Sequence, residues 1–277
     1  MSAPFLSVRD LTVAFHGRQG DVEAVRNVSL DLARGEILAL VGESGSGKSL
    51  TSLSILRLLP EAARMTGRVE IDGQDIASLS RRQMEDVRGA KIGMIFQEPM
   101  TSLNPVLTIE RQMTEGLIRH KGASRREALE MARISLDDVG FAEPERVLRQ
   151  YPHQLSGGMR QRVMIAAALA LQPGILIADE PTTALDVTVQ AQVLDLLVDL
   201  KSRYDSGILL ITHDIGVVAE TADRVAVMRG GEIVETGSVD AVLGAPSHDY
   251  TRALLASHLT VEKAMHQRDA DARRMAP

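Results

Sequence analysis

Apolar residues fall on alternate or near-alternate positions at Leu6, Val8, Leu11, Val13 and Phe15, and again at Val25, Val28, Leu30 and Leu32. That is the period of strands with one buried face. Gly17, Gly20 and Gly35 mark the turns between them. The next run, Ile37-Leu38-Ala39-Leu40-Val41, is apolar throughout, as in a strand covered on both faces. Further strands are predicted over 67–73, closed by a turn, over 91–96, at Ile175-Leu176-Ile177-Ala178 and over 207–212. A hairpin is predicted from 224–228 and 232–235 around Gly230-Gly231. Between 108 and 171 the pattern changes to helical periodicity, broken near Lys121-Gly122-Ala123 and Gly140. Val189, Val193, Leu197 and Leu200 lie on one stripe of another helix, and a further helix is expected near 238–243.

The pattern implies an α/β core with strands at its N-terminal end and an inserted helical layer. The irregular segment Glu98-Pro99-Met100-Thr101-Ser102-Leu103-Asn104-Pro105 stands at the entry to that layer and reads as a hinge. Core boundaries of 1–99 and 173–258 follow, with a helical subdomain over 100–172. Residues 259–277 are charged, lack a sustained apolar stripe and are expected to fray.

Composition narrows the function. The 277 residues are enough for one large domain or two modest ones. Lys plus Arg is 31 against 37 for Asp plus Glu, a net charge of -6, which argues against a general nucleic-acid-binding surface. Arg81-Arg82 and Arg125-Arg126 stand near helix starts among other charges and read as solvated helix faces. With no cysteine, disulfides, thiolate zinc sites and cysteine-held clusters are excluded, which fits a reducing compartment. Arg9 and Asp10 interrupt the N-terminus too early for a signal peptide. The longest apolar run, 163–171, is short of the roughly 20 residues that span a bilayer, so a soluble chain is expected, reaching a membrane only through a partner.

The chemistry is concentrated in Gly42-Glu43-Ser44-Gly45-Ser46-Gly47-Lys48-Ser49, between the apolar run ending at Val41 and an expected helix from Leu50. Strand, glycine loop and helix in that order make G-x-x-x-x-G-K-[ST] a phosphate cradle, with backbone N–H donors at a helix N-terminus. Lys48 is suited to the β- and γ-phosphates and the Ser49 hydroxyl to Mg²⁺. A Gly/Ser linker would lack the flanking strand and helix.

Four other places read as parts of the same apparatus. The strand over 175–178 delivers Asp179 and Glu180, a pair suited to a metal and to polarising an attacking water. Gln97 ends one strand, and His213 follows another that should lie beside the carboxylate strand, within reach of a γ-phosphate. Ser156-Gly157-Gly158 opens a helix with Ser156 as N-cap, a second anion site with no lysine, preceding strand or metal ligand of its own. Each has an ordinary alternative: acidic residues at a strand exit for Asp179 and Glu180, a loop residue for Gln97, a structural histidine for His213, and a cap and turn for Ser-Gly-Gly; farther on, Asp186 reads as a helix cap. Phe15 is one of four phenylalanines in a chain without tryptophan; a lone aromatic in a strand is a core residue more often than an adenine platform, and both readings stand.

In their order along the chain, the phosphate loop, Gln97, Leu155-Ser156-Gly157-Gly158-Met159, Asp179-Glu180, Ala184-Leu185-Asp186 and His213 resemble the nucleotide-binding subunit of ATP-binding cassette (ABC) transporters. The resemblance spans about 5–258. Phe-Gln-Glu-Pro-Met-Thr-Ser-Leu-Asn-Pro at 96–105, Tyr-Pro-His-Gln-Leu-Ser-Gly-Gly-Met at 151–159 and His-Asp-Tyr-Thr-Arg-Ala-Leu-Leu at 248–255 resemble more narrowly the branch that imports dipeptides, oligopeptides and nickel. Met159 stands where the commonest signature has Gln, as is usual in that branch, and the cysteine-rich extension of some members has no counterpart.

The resemblance implies a P-loop NTPase (RecA-like) core with an N-terminal antiparallel β subdomain and an inserted α-helical subdomain, binding ATP and Mg²⁺. It implies nucleotide contacts from residues 42–50, including Leu50, and from Phe15, Ser156, Gly157, Gly158 and Asp186. Ser49, Gln97 and Asp179 are implied around the metal, and Glu180, His213, Lys48 and Gln97 in hydrolysis. It further implies a head-to-tail dimer of nucleotide-binding subunits, two transmembrane permease subunits, a periplasmic or extracellular solute-binding protein, and a peripheral place on the cytoplasmic face of the inner membrane. Peptides, nickel complexes and glutathione are the implied solutes. The rival is a soluble cassette ATPase acting on nucleic acid or ribosomes; the second cassette, long coiled coil or zinc-binding cysteines of such proteins are missing from this sequence.

Overall fold

A computed structural model of the chain describes residues 4–17, 20–98, 102–183 and 185–257. The expectation for the tail over 259–277, and the parts played by Pro99, Met100, Thr101 and Ala184, lie outside them. The first elements are β1 (Leu6–Gly17), β2 (Gly20–Leu32), β3 (Ile37–Val41), α1 (Lys48–Ile55), β4 (Ala63–Ile71) and β5 (Gln74–Asp75). Four of these strands form an antiparallel sheet in the order β2-β1-β4-β5. Its buried face holds Leu6, Val8, Leu11, Val13, Val25, Val28, Leu30 and Leu32, the residues the alternation marks as inward.

One strand is longer than the sequence predicts. β4 starts at Ala63, opposite Phe15, and Gly67 lies inside it rather than at its start. Residues 63–66 have no full inward alternation of their own; pairing with β1 holds them extended. Gly67 has φ +95 and faces a bulge in β1 at Asp10, where a Cβ would sit 2.5 Å from the Asp10 carbonyl oxygen. A side chain there would push the two strands apart.

The second sheet is built from β3, β6 (Ile92–Ile95), β7 (Ile175–Asp179), β8 (Gly207–Ile211), β9 (Arg224–Arg229) and β10 (Glu232–Ser238), in the order β10-β9-β3-β8-β7-β6. All pairs are parallel except the β9–β10 hairpin. Every residue of β3, β7 and β8 is buried, which explains why their sequences are apolar without alternation. β8 lies between β3 and β7. The C-terminal ends of β3, β6, β7 and β8 therefore open on one edge, where open parallel sheets bind ligands.

α2 (Arg81–Ala90) packs beside β6, and the helices that follow it are α3 (Ile109–Lys121), α4 (Arg125–Asp138), α5 (Pro144–Leu148) and α6 (Gly157–Ala170). Thr108, Ser124 and Ser156 cap α3, α4 and α6 through side-chain oxygens, and Ser124 with Glu127 forms a capping box. Met113, Leu117, Leu136 and Val163 join these helices in a core continuous with Leu176 and Leu210 of the sheet. α7 (Val187–Tyr204), α8 (Ile215–Thr221), α9 (Val239–Gly244) and a last helix from 249 complete the described chain. Val189, Val193, Leu197 and Leu200 are the buried stripe of α7.

Candidate active site

The loop from Gly42 to α1 turns through glycines that cannot be replaced cheaply. A Cβ on Gly42, at φ +155, would lie 2.1 Å from the Met228 carbonyl oxygen. One on Gly47, at φ +108, would lie 2.6 Å from the Met228 methyl and 2.8 Å from the Ala24 carbonyl oxygen. The loop is pressed against the β9–β10 hairpin: the Gly231 N–H donates to the Ser46 carbonyl at 2.9 Å. The first N–H groups of α1 have no partners earlier in the helix and face the cleft with its positive dipole end.

Lys48 is buried within the loop. Its Nζ donates to the carbonyl oxygens of Gly42 at 2.7 Å and Glu43 at 2.9 Å, and to Ser46 Oγ at 3.4 Å. Burial lowers its pKa from the ordinary lysine value, while Glu180, Asp179 and Glu43 oppose that shift. A buried ammonium whose partners are mostly neutral carbonyls is matched to an incoming anion.

Asp179 ends β7 only 4% exposed, and its Oδ1 has no hydrogen-bond partner. Burial raises its pKa, with the neighbouring Ser49 hydroxyl and Lys48 pulling it down and Glu180 pushing it up. An orphaned buried carboxylate oxygen beside a hydroxyl is a donor set that suits a hard divalent cation. Among the described residues no group of three or more His, Cys, Asp or Glu side chains could hold a metal by itself. Such a cation would therefore need oxygens from a phosphate ligand and water.

Glu180 follows directly at φ +48, its N–H fixed to the Ile211 carbonyl of β8 at 2.8 Å. Three side chains hold its carboxylate: Gln97 Nε2 donates at 3.2 Å, Thr183 Oγ1 donates at 3.0 Å, and His213 Nδ1 lies 3.3 Å away. These come from the ends of β6, β7 and β8. Residues 44–50, Gln97 and Glu180 line one cleft of about 160 Å³. The structure thus brings together the phosphate loop, Gln97, Asp179, Glu180 and His213.

The remaining predicted residues stand elsewhere. Ser156 Oγ caps α6 by accepting from the Met159 N–H at 3.3 Å, and Ser156 and Gly157 are exposed. Neither they nor Gly158 line the cleft. A Cβ on Gly157 would meet no atom within 4 Å, so nothing among the described residues requires glycine there. Asp186 caps α7, accepting from the Val189 N–H at 3.0 Å. Phe15 lies opposite Val22 and Ala63 on β1, partly buried against the core.

Three contributors were not legible beforehand. Thr183 reaches Glu180 from the turn after β7. Gln161, buried on α6, donates to the Pro181 carbonyl at 2.6 Å and so ties the Ser-Gly-Gly helix to the segment carrying Glu180. Tyr250 Oη accepts from the Glu43 N–H at 3.2 Å. Only the packing reveals Thr183 and Gln161; for Tyr250, the 248–255 motif marked the segment but gave it no role.

Comparison with known proteins decides the family. Residues 25–183 match the family model described as ABC transporter. The oligopeptide transport ATP-binding protein OppD of Bacillus subtilis is 53% identical over 261 residues, covering 94% of this chain and 73% of that protein. The chain belongs to the ABC transporter family. The cassette is also 57% identical over 256 residues to the peptidoglycan transport ATP-binding protein YejF of Agrobacterium fabrum, covering 92% of this chain and 47% of that one. It therefore spans about half the length of that relative. Among solved structures, the dimeric post-hydrolysis state of the ATP-binding cassette MJ0796 bound to ADP and Pi aligns with a TM-score of 0.77 at 31% identity, covering 84% of this chain and 98% of the other. The cassette is an ATPase of this family with the P-loop NTPase fold, and its elements correspond to the core, β subdomain and helical layer described above.

Proposed function

We propose that this cassette ATPase is the energy-coupling subunit of an importer for dipeptides, oligopeptides or related small solutes such as glutathione or nickel complexes. The observation that carries the reading is the separation of Ser156 to Gly158 from the cleft that holds the phosphate loop and Glu180. Glu180 is held at the phosphate cleft by Gln97, Thr183 and His213, while Ser156 and Gly157, both exposed, and the partly buried Gly158 lie away from it. A second nucleotide-binding subunit, placed head to tail, would bring its own Ser156 and Gly158 over the γ-phosphate. ATP then holds the pair shut, and hydrolysis releases it.

In that assembly the residues of this chain divide the work. The loop N–H groups and Lys48 orient the triphosphate, Glu180 polarises the attacking water, and His213 and Gln97 keep its carboxylate aimed. Mg²⁺, when bound, offsets charge on the phosphates, with Ser49, Asp179 and Gln97 as its side of the coordination shell. Phe15 and Asp186 belong to the outer nucleotide contacts in this reading.

No helix among the described residues is long and apolar enough to cross a membrane, so transport requires membrane-embedded partners. A cavity of about 400 Å³ between the core and the helical layer is lined by Leu58, Met94, Phe96, Leu103, Met113 and Leu171, beside Gln97. Leu58 and Phe96 are 40% and 36% exposed there. This supports docking of a permease segment where closure at Gln97 can be passed on, with the chain peripheral on the cytoplasmic face of the inner membrane. An extracellular or periplasmic solute-binding protein would act through the permeases, and nucleic acid is not an expected partner of a chain with net charge -6.

Uptake of a labelled tripeptide by cells lacking this chain tests the reading. Uptake should be lost on deletion and restored by the wild type but not by Glu180→Gln. Unchanged uptake of peptides, glutathione and nickel would overturn it, and recovery of the chain with ribosomes instead of permeases would favour the soluble alternative.

A further inference from the structure

The 248–255 motif plays no part in the hydrolytic arrangement above, yet it reaches the phosphate loop. The peptide joining Gly42 to Glu43 is held at both ends. Its carbonyl accepts from Lys48 Nζ at 2.7 Å, and its N–H donates to Tyr250 Oη at 3.2 Å. The next carbonyl, that of Glu43, also accepts from Lys48 Nζ. One peptide dipole therefore connects the tyrosine hydroxyl to the ammonium group, and hydrogen bonds in such a chain reinforce each other.

Tyr250 is itself fixed. It is 7% exposed and packs with Val41 of β3, Val227 of β9, Val242 and Leu254, with the Arg229 guanidinium 4.9 Å from its ring centre. The turn ahead of it is locked onto β10: the Glu235 carboxylate accepts from Ser247 N at 2.7 Å, Ser247 Oγ at 2.8 Å and His248 N at 3.1 Å. Burial opposes ionisation of Glu235, but the Thr251 hydroxyl beside it and these bonds from Ser247 and His248 outweigh that and bring its pKa to about 2. Arg252 closes the turn from the other side, donating to the carbonyls of Pro246 and Ser247 at 2.8 and 2.9 Å.

We propose that Tyr250 is a positioning residue for the nucleotide site, fixing the Gly42–Glu43 peptide and through it the place of the Lys48 ammonium, so that the Glu235-anchored segment sets ATP affinity. The Gly42 and Glu43 carbonyls fix where the ammonium meets an incoming triphosphate, and the Gly42 carbonyl keeps its direction only while the N–H at the other end of its peptide is tied. Tyr250 Oη supplies that restraint from outside the cleft. The inference rests on the loop being the ATP site.

Tyr250→Phe retains the ring and its packing and removes only the hydroxyl. Losing one such restraint should weaken binding of a fluorescent ATP analogue about two- to tenfold, with kcat at saturating ATP within about twofold of wild type. In a Lys48→Ala background the same substitution should have no further effect, because the route runs through the ammonium. Wild-type affinity in Tyr250→Phe would overturn the proposal. So would an equal loss in both backgrounds, which would make the hydroxyl merely structural. Failure of the wild type itself to bind the analogue would instead count against the ATP site.

Discussion

Asp179→Asn should make the nucleotide-free protein more stable while disabling it. In the wild type this carboxylate is 4% exposed, its Oδ1 has no hydrogen-bond partner, and burial has pushed its pKa up. The folded state therefore bears a charge it does not fully compensate. The amide is nearly isosteric and neutral, and leaves the Ile211 pairing of β7 untouched. An unsatisfied buried polar group costs about 1–3 kcal/mol, and more when charged, so removing the charge should recover a stabilisation of about that size. For a domain of this length each kcal/mol moves the midpoint by about 2–4 °C, which gives a rise of about 2–12 °C. Thermal melts in EDTA without nucleotide measure it. With ATP and Mg²⁺ the order should reverse: the wild type gains the linkage stabilisation of a bound ligand, and the variant loses the part that depends on Mg²⁺. A variant that melts at or below the wild type in EDTA, or one that shows the full Mg²⁺-dependent shift, would refute the argument.

Two further outcomes concern the reaction itself. Glu180→Gln keeps the shape of the group that Gln97, Thr183 and His213 hold, so ATP affinity should be unchanged while turnover falls about 10²–10⁴-fold and a nucleotide-bound dimer accumulates in size-exclusion chromatography; hydrolysis at the normal rate would remove Glu180 as the base. Ser156→Arg places a long side chain at an exposed cap that lines no part of the chain's own cleft. It should leave ATP affinity of the monomer intact and abolish steady-state hydrolysis, and normal turnover would rule out completion of the site by a second subunit.

Much of this was legible along the chain because the signals are local. Unbroken apolar runs marked β3, β7 and β8 as strands buried on both faces, and residues 42–49 follow β3 with glycines at positions whose backbone angles or close contacts require them. Ser124, Ser156 and Asp186 cap helices because their side chains reach N–H groups three residues on, which is a property of short sequence. The placing of Gln97, Asp179, Glu180 and His213 at strand ends was readable for the same reason.

What only the tertiary structure decided is the order of strands and everything that depends on it. The expected neighbouring of β8 and β7 is observed and brings His213 to Glu180, but that β8 also stands next to β3, which sets Glu180 at the loop, is encoded by no local pattern. Gly67 read as the start of a strand, and only the pairing of β4 with β1 sets it inside one, against the bulge at Asp10, a clash that exists only between paired strands. Gln161 and Tyr250 act across the fold on Pro181 and Glu43, so their sequence neighbours carry no trace of the contact, whereas Thr183 reaches Glu180 within a single turn whose shape the packing sets. The loop over 42–49 is set by backbone conformation, which short sequence dictates; the residues that hold it in place are set by packing, which only the folded chain supplies.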